Sequence, residues 1–215
     1  MEKTSFRHRQ IRGWNREYSQ KGALWNGPGY IDFELPPNAR VLELGCGNGK
    51  TLSTLLKTDC IITAIDSSDK AVDMCRALAS KEEGGVNVLR ADACELPFPE
   101  SSFDIVIAFH ILEHLLFSDR STAVSEINRV LAPKGRVLVR VFSTGDMRFG
   151  KGEEVEENTF VRGRNKLAYH YFTEDELREL FKNFREKDMR TVQRTVEYHH
   201  KPRRREQLMA VYEKL

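Results

Sequence analysis

The alternation of apolar and polar positions along the chain predicts strands and helices in turn. Short apolar runs are typical of strands buried on both faces of a parallel sheet, and they occupy residues 41–44, 60–65, 86–91, 103–109 and 136–142. Apolar residues at helical spacing follow residue 50 and recur over residues 69–83 and 118–131. This order predicts an α/β fold with a mostly parallel sheet and helices on both faces.

The regular pattern stops after the fifth predicted strand. Residues 143–172 show no clear period, and connections of this length are often lids or binding loops. We therefore expect part of a substrate site in this insert. Thr173 and Glu176 form a capping box that predicts the start of a helix, which we place over residues 177–184.

The end of the chain predicts two paired strands, over residues 189–198 and 207–212. Its length suits one domain with additions. We divide it into an N-terminal cap, residues 1–38, and a domain over residues 39–215 that contains the insert 143–172.

A glycine-rich turn follows the first predicted strand. It consists of Gly45, Cys46, Gly47, Asn48 and Gly49. Glycine permits a sharp reversal and the close approach of a ligand to the backbone, so the turn is a candidate nucleotide-binding loop, although many such turns bind nothing. A dinucleotide site has the pattern G-x-G-x-x-G or A, whereas Lys50 occupies the third small position here. The acidic Glu43 precedes the first glycine by two residues.

Two further acids follow predicted strands. Asp66 ends the second strand, 21 positions after Gly45, close to the spacing of about 20 residues at which a carboxylate binds a ribose diol. It could also simply begin the turn to the next helix. Asp92, followed by Ala93, ends the third strand. Ligands of open α/β sheets bind at this edge.

These features together resemble class I S-adenosylmethionine (SAM) dependent methyltransferases of the type 11, UbiE-like kind. The glycine turn resembles their motif I, and the patterns L-P-F-x-x-x-x-F-D-x-V at residues 96–106 and E-I-N-R-V-L-A-P-K-G-R-V-L-V at residues 126–139 are frequent in the family. The insert is similar to that of tellurite-resistance-like and thiopurine-like methyltransferases. The resemblance implies a Rossmann-like sheet of seven strands, completed by the C-terminal antiparallel pair, and SAM as cofactor.

The resemblance also implies a cofactor site. Asp66 would bind the ribose, while Asp92 would meet the adenine amine and the backbone N–H of Ala93 a ring nitrogen. The implied cofactor-binding residues are Glu43, Gly45, Cys46, Gly47, Asn48, Gly49, Asp66, Ser67, Asp92, Ala93, Phe109, His110, Trp14, Tyr18 and Trp25.

The N-terminal cap contains both tryptophans of the chain. Trp14 and Tyr18 are spaced to share one face of a helix, and Trp25 lies in a turn rich in glycine and proline. These rings either cover one end of the core or form a lid. Their spacing resembles the aromatic cap that closes over the methionine end of SAM in small-molecule methyltransferases.

The loop after the fourth predicted strand contains His110, Glu113 and His114. We expect Glu113 and His114 to hold the loop in place. His110 is nearer the strand and is the candidate catalytic acid or base, with Tyr18 and Tyr171 as further candidates. A base is needed only if the acceptor is protonated at the working pH.

Composition narrows the class of protein. The net charge is +2, which demands no nucleic acid partner. No apolar run approaches the roughly 20 residues that a membrane span needs, and the N-terminus lacks an apolar targeting segment; we expect a cytoplasmic protein that does not enter membranes. Four cysteines without a C-x-x-C pair suit buried thiols better than disulfides or a metal site.

The acceptor is the least specified feature. We expect a small molecule, because the cap and insert would enclose a pocket. An RNA or protein acceptor is the alternative, prompted by the basic N-terminus and by the cluster at residues 201–205. The chain has no N-P-P-Y-like tetrad for a base amine and no Pro-Cys nucleophile. A third reading is a SAM-binding module without catalysis.

Overall fold

The computed structural model describes residues 2–25, 29–81, 86–198 and 200–215. The strands in these ranges are β1 (Arg40–Leu44), β2 (Ile61–Asp66), β3 (Asn87–Arg90), β4 (Phe103–Phe109), β5 (Leu131–Phe142), β6 (Glu153–Glu156), β7 (Thr159–Arg162), β8 (Leu167–His170), β9 (Phe184–Tyr198) and β10 (Lys201–Lys214). The helices are α1 (Glu2–Lys21), α2 (Leu52–Leu55), α3 (Asp69–Ala79), α4 (Phe117–Val130) and α5 (Glu174–Leu180), with a 3-10 turn at Leu112–His114.

Seven strands form one sheet in the order β3-β2-β1-β4-β5-β10-β9. The first five pair in parallel, whereas β10 is antiparallel to both β5 and β9. The predicted Rossmann-like sheet with a C-terminal antiparallel pair is confirmed. Its carboxyl edge brings together the loops that follow β1, β2, β3 and β4.

Successive residues of the central strands face opposite sides of the sheet, as the strand period requires. Leu42 packs in a cluster with Ile127 of α4 and Leu177 of α5. Its neighbour Val41 packs in another cluster with Leu52 of α2 and Val72 of α3. Both faces of the central sheet are therefore covered by helices, which is why β1, β2 and β4 are mostly apolar.

The insert differs from the unpatterned loop that the sequence predicts. Its residues form a separate antiparallel sheet in the order β6-β7-β8. Each strand has only four residues, and β6 is largely exposed. A strand this short gives too few alternations for the period to be recognised.

Several boundaries also differ from the prediction. The helix expected over residues 69–83 ends at Ala79, and the glycine pair expected to stop it lies outside the described residues. The helix expected over 177–184 is α5, which begins earlier. The final strand pair extends well beyond the predicted ranges. The prediction is too short because β9 is exposed and charged along most of its length, so its sequence shows no apolar alternation.

The four cysteines are free thiols, and Cys46, Cys75 and Cys94 are buried, whereas Cys60 is half-buried. Among the described residues, no group of three or more His, Cys, Asp or Glu side chains is placed to bind a metal ion. No helix in those ranges has the length and apolar content needed to cross a bilayer.

Candidate active site

The glycine loop, residues 45–49, connects β1 to α2. Its three glycines have positive φ, at 70°, 54° and 83°, in the region that favours glycine. Space is also restricted, since a Cβ on Gly47 would lie 2.6 Å from the hydroxyl oxygen of Tyr18 and one on Gly45 would lie 3.0 Å from Ile111. The loop is therefore closely covered by other parts of the chain.

Asp66 lies at the end of β2, beside this loop. Its carboxylate accepts hydrogen bonds from the backbone N–H of Gly47 at 2.9 Å and of Ser68 at 2.8 Å. Burial raises the pKa of Asp66, although these backbone bonds act in the opposite direction. The predicted acid is thus held at the carboxyl edge with its oxygens against the glycine loop.

Glu43 lies deeper in β1 and is buried. Burial, followed by the charge of Asp66, raises its pKa to about 8. Its Oε2 atom has no hydrogen-bond partner among the described residues. Burying a carboxyl oxygen without a hydrogen-bond partner costs free energy. Glu43 therefore lacks a hydrogen-bond partner that a bound ligand would supply.

Asp92 follows β3 and accepts a hydrogen bond from the backbone N–H of Cys94 at 2.9 Å. Nε of Arg7, on α1, lies 3.6 Å from its other oxygen. Arg7 also lies 4.0 Å from Asp119. The N-terminal helix therefore contacts the acid that the resemblance assigns to adenine, a contact that the sequence does not predict.

These groups surround a central cleft between α1 and the carboxyl edge of the sheet. The predicted cofactor residues that line the cleft are Trp14, Gly45, Asp66, Ser67, Asp92 and Ala93. Arg7, Ile111 and His114 also line it. The cleft leaves about 50 Å³ of free space, which is less than a ligand as large as SAM occupies.

Two aromatic residues of the predicted cap share one helix, and Tyr18 lies against the glycine loop. Trp14 and Tyr18 lie on α1 with ring centres 5.9 Å apart, and Trp14 also meets His114 edge-on at 4.7 Å. Tyr18 is buried, and burial raises its pKa, as does the charge of Asp66. Because the phenol keeps its proton at neutral pH, Tyr18 is unsuited to act as a base.

Trp25 contacts the glycine loop through its backbone. Its N–H donates to Oδ1 of Asn48 at 3.1 Å, and its carbonyl accepts from Nδ2 of Asn48 at 2.9 Å. The residue as a whole is 42% exposed. Trp25 thus connects the N-terminal segment to the glycine loop through backbone atoms.

Two other residues of α1, which the sequence analysis missed, hold it in place. Gln10 donates from Nε2 to the carbonyl of Lys166 at 3.0 Å and accepts at Oε1 from the N–H of Ala168 at 2.9 Å. Asn15 accepts from the hydroxyl of Ser68 at 2.6 Å. The helix therefore joins the insert sheet to the cofactor side of the main sheet.

A usable signal for this helix was present in the sequence. Arg7, Ile11, Trp14 and Tyr18 recur at intervals of three and four residues, which places them on one helical face. Arg7, Ile11 and Trp14 all line the cleft. The helical spacing of Trp14 and Tyr18, continued toward the N-terminus, therefore predicts that Arg7 lies on the same face.

His110 lies outside the central cleft, at the end of β4. It has a positive φ of 57°, which is uncommon for a residue other than glycine and frequent at functional sites. Its Nδ1 lies 2.6 Å from Oε1 of the buried Glu113, and its Nε2 lies 3.4 Å from Nε2 of Gln207. As predicted, Glu113 holds the loop in place.

Phe109 and Tyr171, two further predicted residues, do not line the cleft. The guanidinium of Arg140 lies 4.3 Å from the ring centre of Phe109, and Phe109 is not among the residues lining the cleft. Tyr171 is fully buried and accepts a hydrogen bond from Arg162 at 2.7 Å. Burial raises the pKa of Tyr171, which makes it a poor base.

The sequence matches known methyltransferases. Residues 42–139 match the family model described as a methyltransferase domain. The chain is 30% identical over 193 residues to the tRNA N(3)-cytidine methyltransferase METTL2 of Gallus gallus, covering 78% of this chain and 52% of that protein. It is 37% identical over 106 residues to the 27-O-demethylrifamycin SV methyltransferase of Amycolatopsis mediterranei (strain S699), covering 48% and 38%. The chain spans about half the length, or less, of these relatives.

The fold agrees with these matches. It is similar to that of a SAM-dependent methyltransferase from Methanosarcina mazei, with a TM-score of 0.73 and 23% identity over 86% of this chain and 99% of that one. The chain belongs to the SAM-dependent methyltransferases. The predicted recognition, the enzyme class and the cofactor of this methyltransferase are therefore confirmed.

The site of this methyltransferase fits SAM. A glycine loop that allows close backbone approach, acids at the ends of β2 and β3, and the unpartnered Oε2 of Glu43 all lie at the edge where α/β sheets bind ligands. Asp66 would hold the ribose, and Asp92 with the N–H of Ala93 the adenine. These residue assignments remain predictions.

Proposed function

We propose that this methyltransferase methylates a cytidine of transfer RNA at N3. The similarity to the tRNA N(3)-cytidine methyltransferase of Gallus gallus carries the proposal, because it extends beyond residues 42–139, the part that the family model matches. It therefore includes segments outside the cofactor core. This ranks the RNA acceptor above the small molecule that the aromatic cap led us to expect.

A basic groove between α1 and the insert sheet supports an RNA acceptor. It has a volume of about 510 Å³. Its charged lining residues within the described ranges are Arg9, Arg12, Arg16, Arg164, Lys166 and Glu153. This excess of positive charge suits the phosphate backbone of a nucleic acid, whose binding is dominated by such contacts. The low net charge of the whole chain conceals this local excess.

The proposed reaction needs little from the protein beyond alignment. SAM supplies a methyl group that its sulfonium already activates. The N3 atom of a neutral cytosine holds a lone pair, so its attack on the methyl carbon requires no prior loss of a proton. A carbon–nitrogen bond forms as the carbon–sulfur bond breaks, and the positive charge passes from sulfur to the base. The protein's contribution is to hold the two reactants in line.

His110 is suited to orient the base. When Nδ1–H of His110 donates a hydrogen bond to Glu113, Nε2 of His110 is left as an acceptor. In the structure this Nε2 lies 3.4 Å from the side-chain amide nitrogen of Gln207. The exocyclic amine of cytosine is a hydrogen-bond donor that matches this acceptor. His110 is then a positioning group, and the general base considered from the sequence is unnecessary.

Labelling with SAM tests the acceptor. We expect that the protein, incubated with methyl-labelled SAM and a cell extract split into RNA, protein and small-molecule fractions, labels transfer RNA. Digestion to nucleosides and mass spectrometry should then identify 3-methylcytidine. A parallel incubation with Asp66→Ala controls for contaminating activity.

Two other results would contradict the proposal. Label confined to the small-molecule fraction would favour the second candidate, a natural-product acceptor, which the 37% identity to the rifamycin methyltransferase supports. No label in any fraction, with SAM still bound, would indicate a SAM-binding module without catalysis.

A further inference from the structure

Three arginines from separate parts of the chain meet beside His110. We call Arg148, Arg162 and Arg205 the arginine triad. The guanidinium of Arg205 lies 5.2 Å from the ring centre of Phe142, and the Phe142 ring lies 4.9 Å from that of His110. Arg205 is thus separated from His110 by one aromatic ring.

Arg162 reaches the same aromatic group from the insert. It donates to the hydroxyl of Tyr171 at 2.7 Å, and the Tyr171 ring stacks on Phe142 at 5.9 Å. Its guanidinium also lies 3.8 Å from the ring centre of Tyr169. These contacts fix the plane of Arg162 and keep it next to Arg148, whose carbonyl it contacts at 3.3 Å.

The carboxylate nearest to the triad is already in use. Asp146 accepts from Nε of Arg205 at 2.6 Å and from the backbone N–H of Glu206 at 3.1 Å. Its other oxygen accepts from the backbone N–H of Arg148 at 3.0 Å. Glu206 itself is engaged by the side chains of Ser143 and Gln193. Within the described residues, Asp146 therefore pairs with the guanidinium of Arg205 and leaves those of Arg148 and Arg162 without a carboxylate.

Arg148 is the member of the triad that packing does not explain. Within the described ranges, its guanidinium makes no hydrogen bond or ion pair, although the side chain is half-buried. Burial lowers the pKa of Arg148, and the neighbouring charges of Arg205 and Arg162 lower it further. Holding like charges together in a partly desolvated place is unfavourable unless an anion joins them.

We propose that the arginine triad binds the phosphate group next to the cytidine that is methylated. The planar fork of arginine matches the oxygen atoms of a phosphate, and no member of the triad lines the cofactor cleft. This inference rests on the proposed RNA acceptor. It gives the insert a role in catalysis, because β7 supplies Arg162 and the connection before β6 supplies Arg148.

The test uses Arg148→Gln, because this side chain has no contact that folding requires. We expect its equilibrium constant for binding a labelled transfer RNA transcript to weaken by about 10- to 100-fold, as for the loss of a charge-assisted hydrogen bond. The slope of log K against log salt should fall in magnitude by about 0.7 to 0.9, the value for one phosphate contact. SAM affinity should not change.

Arg185→Gln is the matched control, because this exposed arginine of β9 pairs weakly with Glu213, at 3.8 Å, and lies outside the insert. Arg148→Lys should recover part of the affinity and the full salt slope, since it keeps the charge and loses the fork. Melting curves of each variant check that it is folded.

The outcomes separate this inference from the acceptor assignment. If wild type methylates transfer RNA while Arg148→Gln binds it with unchanged affinity and slope, the triad is not a phosphate site and the acceptor assignment stands. If wild type binds transfer RNA with a slope that depends on Arg148 but methylates none, the triad is a phosphate site without a target cytidine beside it, and both its placement and the acceptor assignment fall. No binding of transfer RNA by wild type overturns both.

Discussion

At the cofactor site, the side chain of Glu43 is held in an unusual protonation state. The carboxyl of Glu43 is buried, and the backbone N–H of Leu52 opposes the rise in its pKa. Near neutral pH a carboxyl with a pKa of about 8 is largely protonated. Glu43 therefore avoids the cost of a buried charge by keeping its proton, rather than by forming an ion pair.

This state links stability to pH. The folded-state pKa of Glu43 lies above the ordinary value of 4.5, so between about pH 4.5 and 8 the folded protein holds a proton that the unfolded chain has released. Stability must then fall as pH rises through that window. One pKa unit corresponds to about 1.4 kcal/mol, so we expect wild type to lose a few kcal/mol relative to Glu43→Gln, measured by urea denaturation from pH 5 to pH 9.

Asp66, the charged neighbour of Glu43, also has a raised pKa, so part of the fall with pH should remain in Glu43→Gln. Glu95→Gln, at an exposed position, is the control and should follow the wild-type profile. Parallel profiles for wild type and Glu43→Gln would show that Glu43 is ionised in the folded protein.

At the scale of elements, α1 is the connection between the two sheets. Its Gln10 hydrogen-bonds two backbone groups of the insert, and a Cβ on its Gly13 would lie 2.9 Å from Leu167. Further along, Asn15 and Tyr18 reach α3 and the glycine loop. Movement of α1 therefore changes the cofactor cleft and the insert together.

Weakening the contact between α1 and the insert should speed the dissociation of the cofactor. Gln10→Ala leaves the buried N–H of Ala168 and the partly buried carbonyl of Lys166 without their side-chain partner, at a cost of about 1–3 kcal/mol. We expect faster hydrogen exchange in α1 and β8 and faster dissociation of SAM. Tryptophan fluorescence in stopped-flow experiments suits the second measurement, because both tryptophans lie in the cap.

Gln20→Ala changes the same residue type at an exposed position of the same helix and should leave both rates unchanged. If Gln10→Ala also exchanged and released SAM at the wild-type rates, the docking of α1 on β8 would have no part in holding the cofactor.

The elements that the sequence predicts well are those defined by neighbouring residues. The first strand and its glycine loop combine an apolar run with three glycines within nine residues, residues 41–49, so pattern and turn chemistry agree. The acids after β2 and β3 are predicted in the same way, because each directly follows an apolar run. The insert sheet is missed because its strands are short and β6 is polar and exposed.

The rest of the site depends on contacts between distant parts of the chain. The bond from Ala168 to Gln10 spans 158 positions, and the triad joins residues from the insert and β10. Such pairings leave no periodic signal in a single sequence. Arg148 in particular stands in a segment without a pattern, and only its position in the fold shows that its charge is unpaired.

On the scale of the whole molecule, the N-terminal helix, the main sheet and the insert meet around two adjoining sites. The cofactor cleft carries the acids Asp66 and Asp92, whereas the arginine triad and the basic groove lie toward the insert. Charge is therefore divided between the cofactor side and the acceptor side, although the sum over the chain is only +2. This division suits a cationic cofactor and an anionic acceptor.

Cofactor binding should stabilise the whole fold, because the cleft exists only when these parts are assembled. A ligand present at 100 times its dissociation constant adds about 2.7 kcal/mol, which raises the Tm of a domain of this size by about 5–10 °C. We expect this shift in thermal melting with SAM and with S-adenosylhomocysteine. NAD at the same concentration should give none, because Lys50 replaces the third small residue of a dinucleotide loop.

Variants at the ribose acid decide whether the shift arises from the proposed cleft. Asp66→Ala removes the acceptor of two backbone bonds and should lose most of the SAM-induced shift, and Asp66→Asn, which keeps one acceptor oxygen, should lose less. Asp73→Ala, at an exposed position of α3, should retain the full shift. Since each variant is compared with its own ligand-free melting temperature, a change in fold stability alone cannot imitate the result. A full shift in Asp66→Ala would place the ribose elsewhere, and the cofactor geometry derived from the glycine loop and the strand-end acids would be wrong.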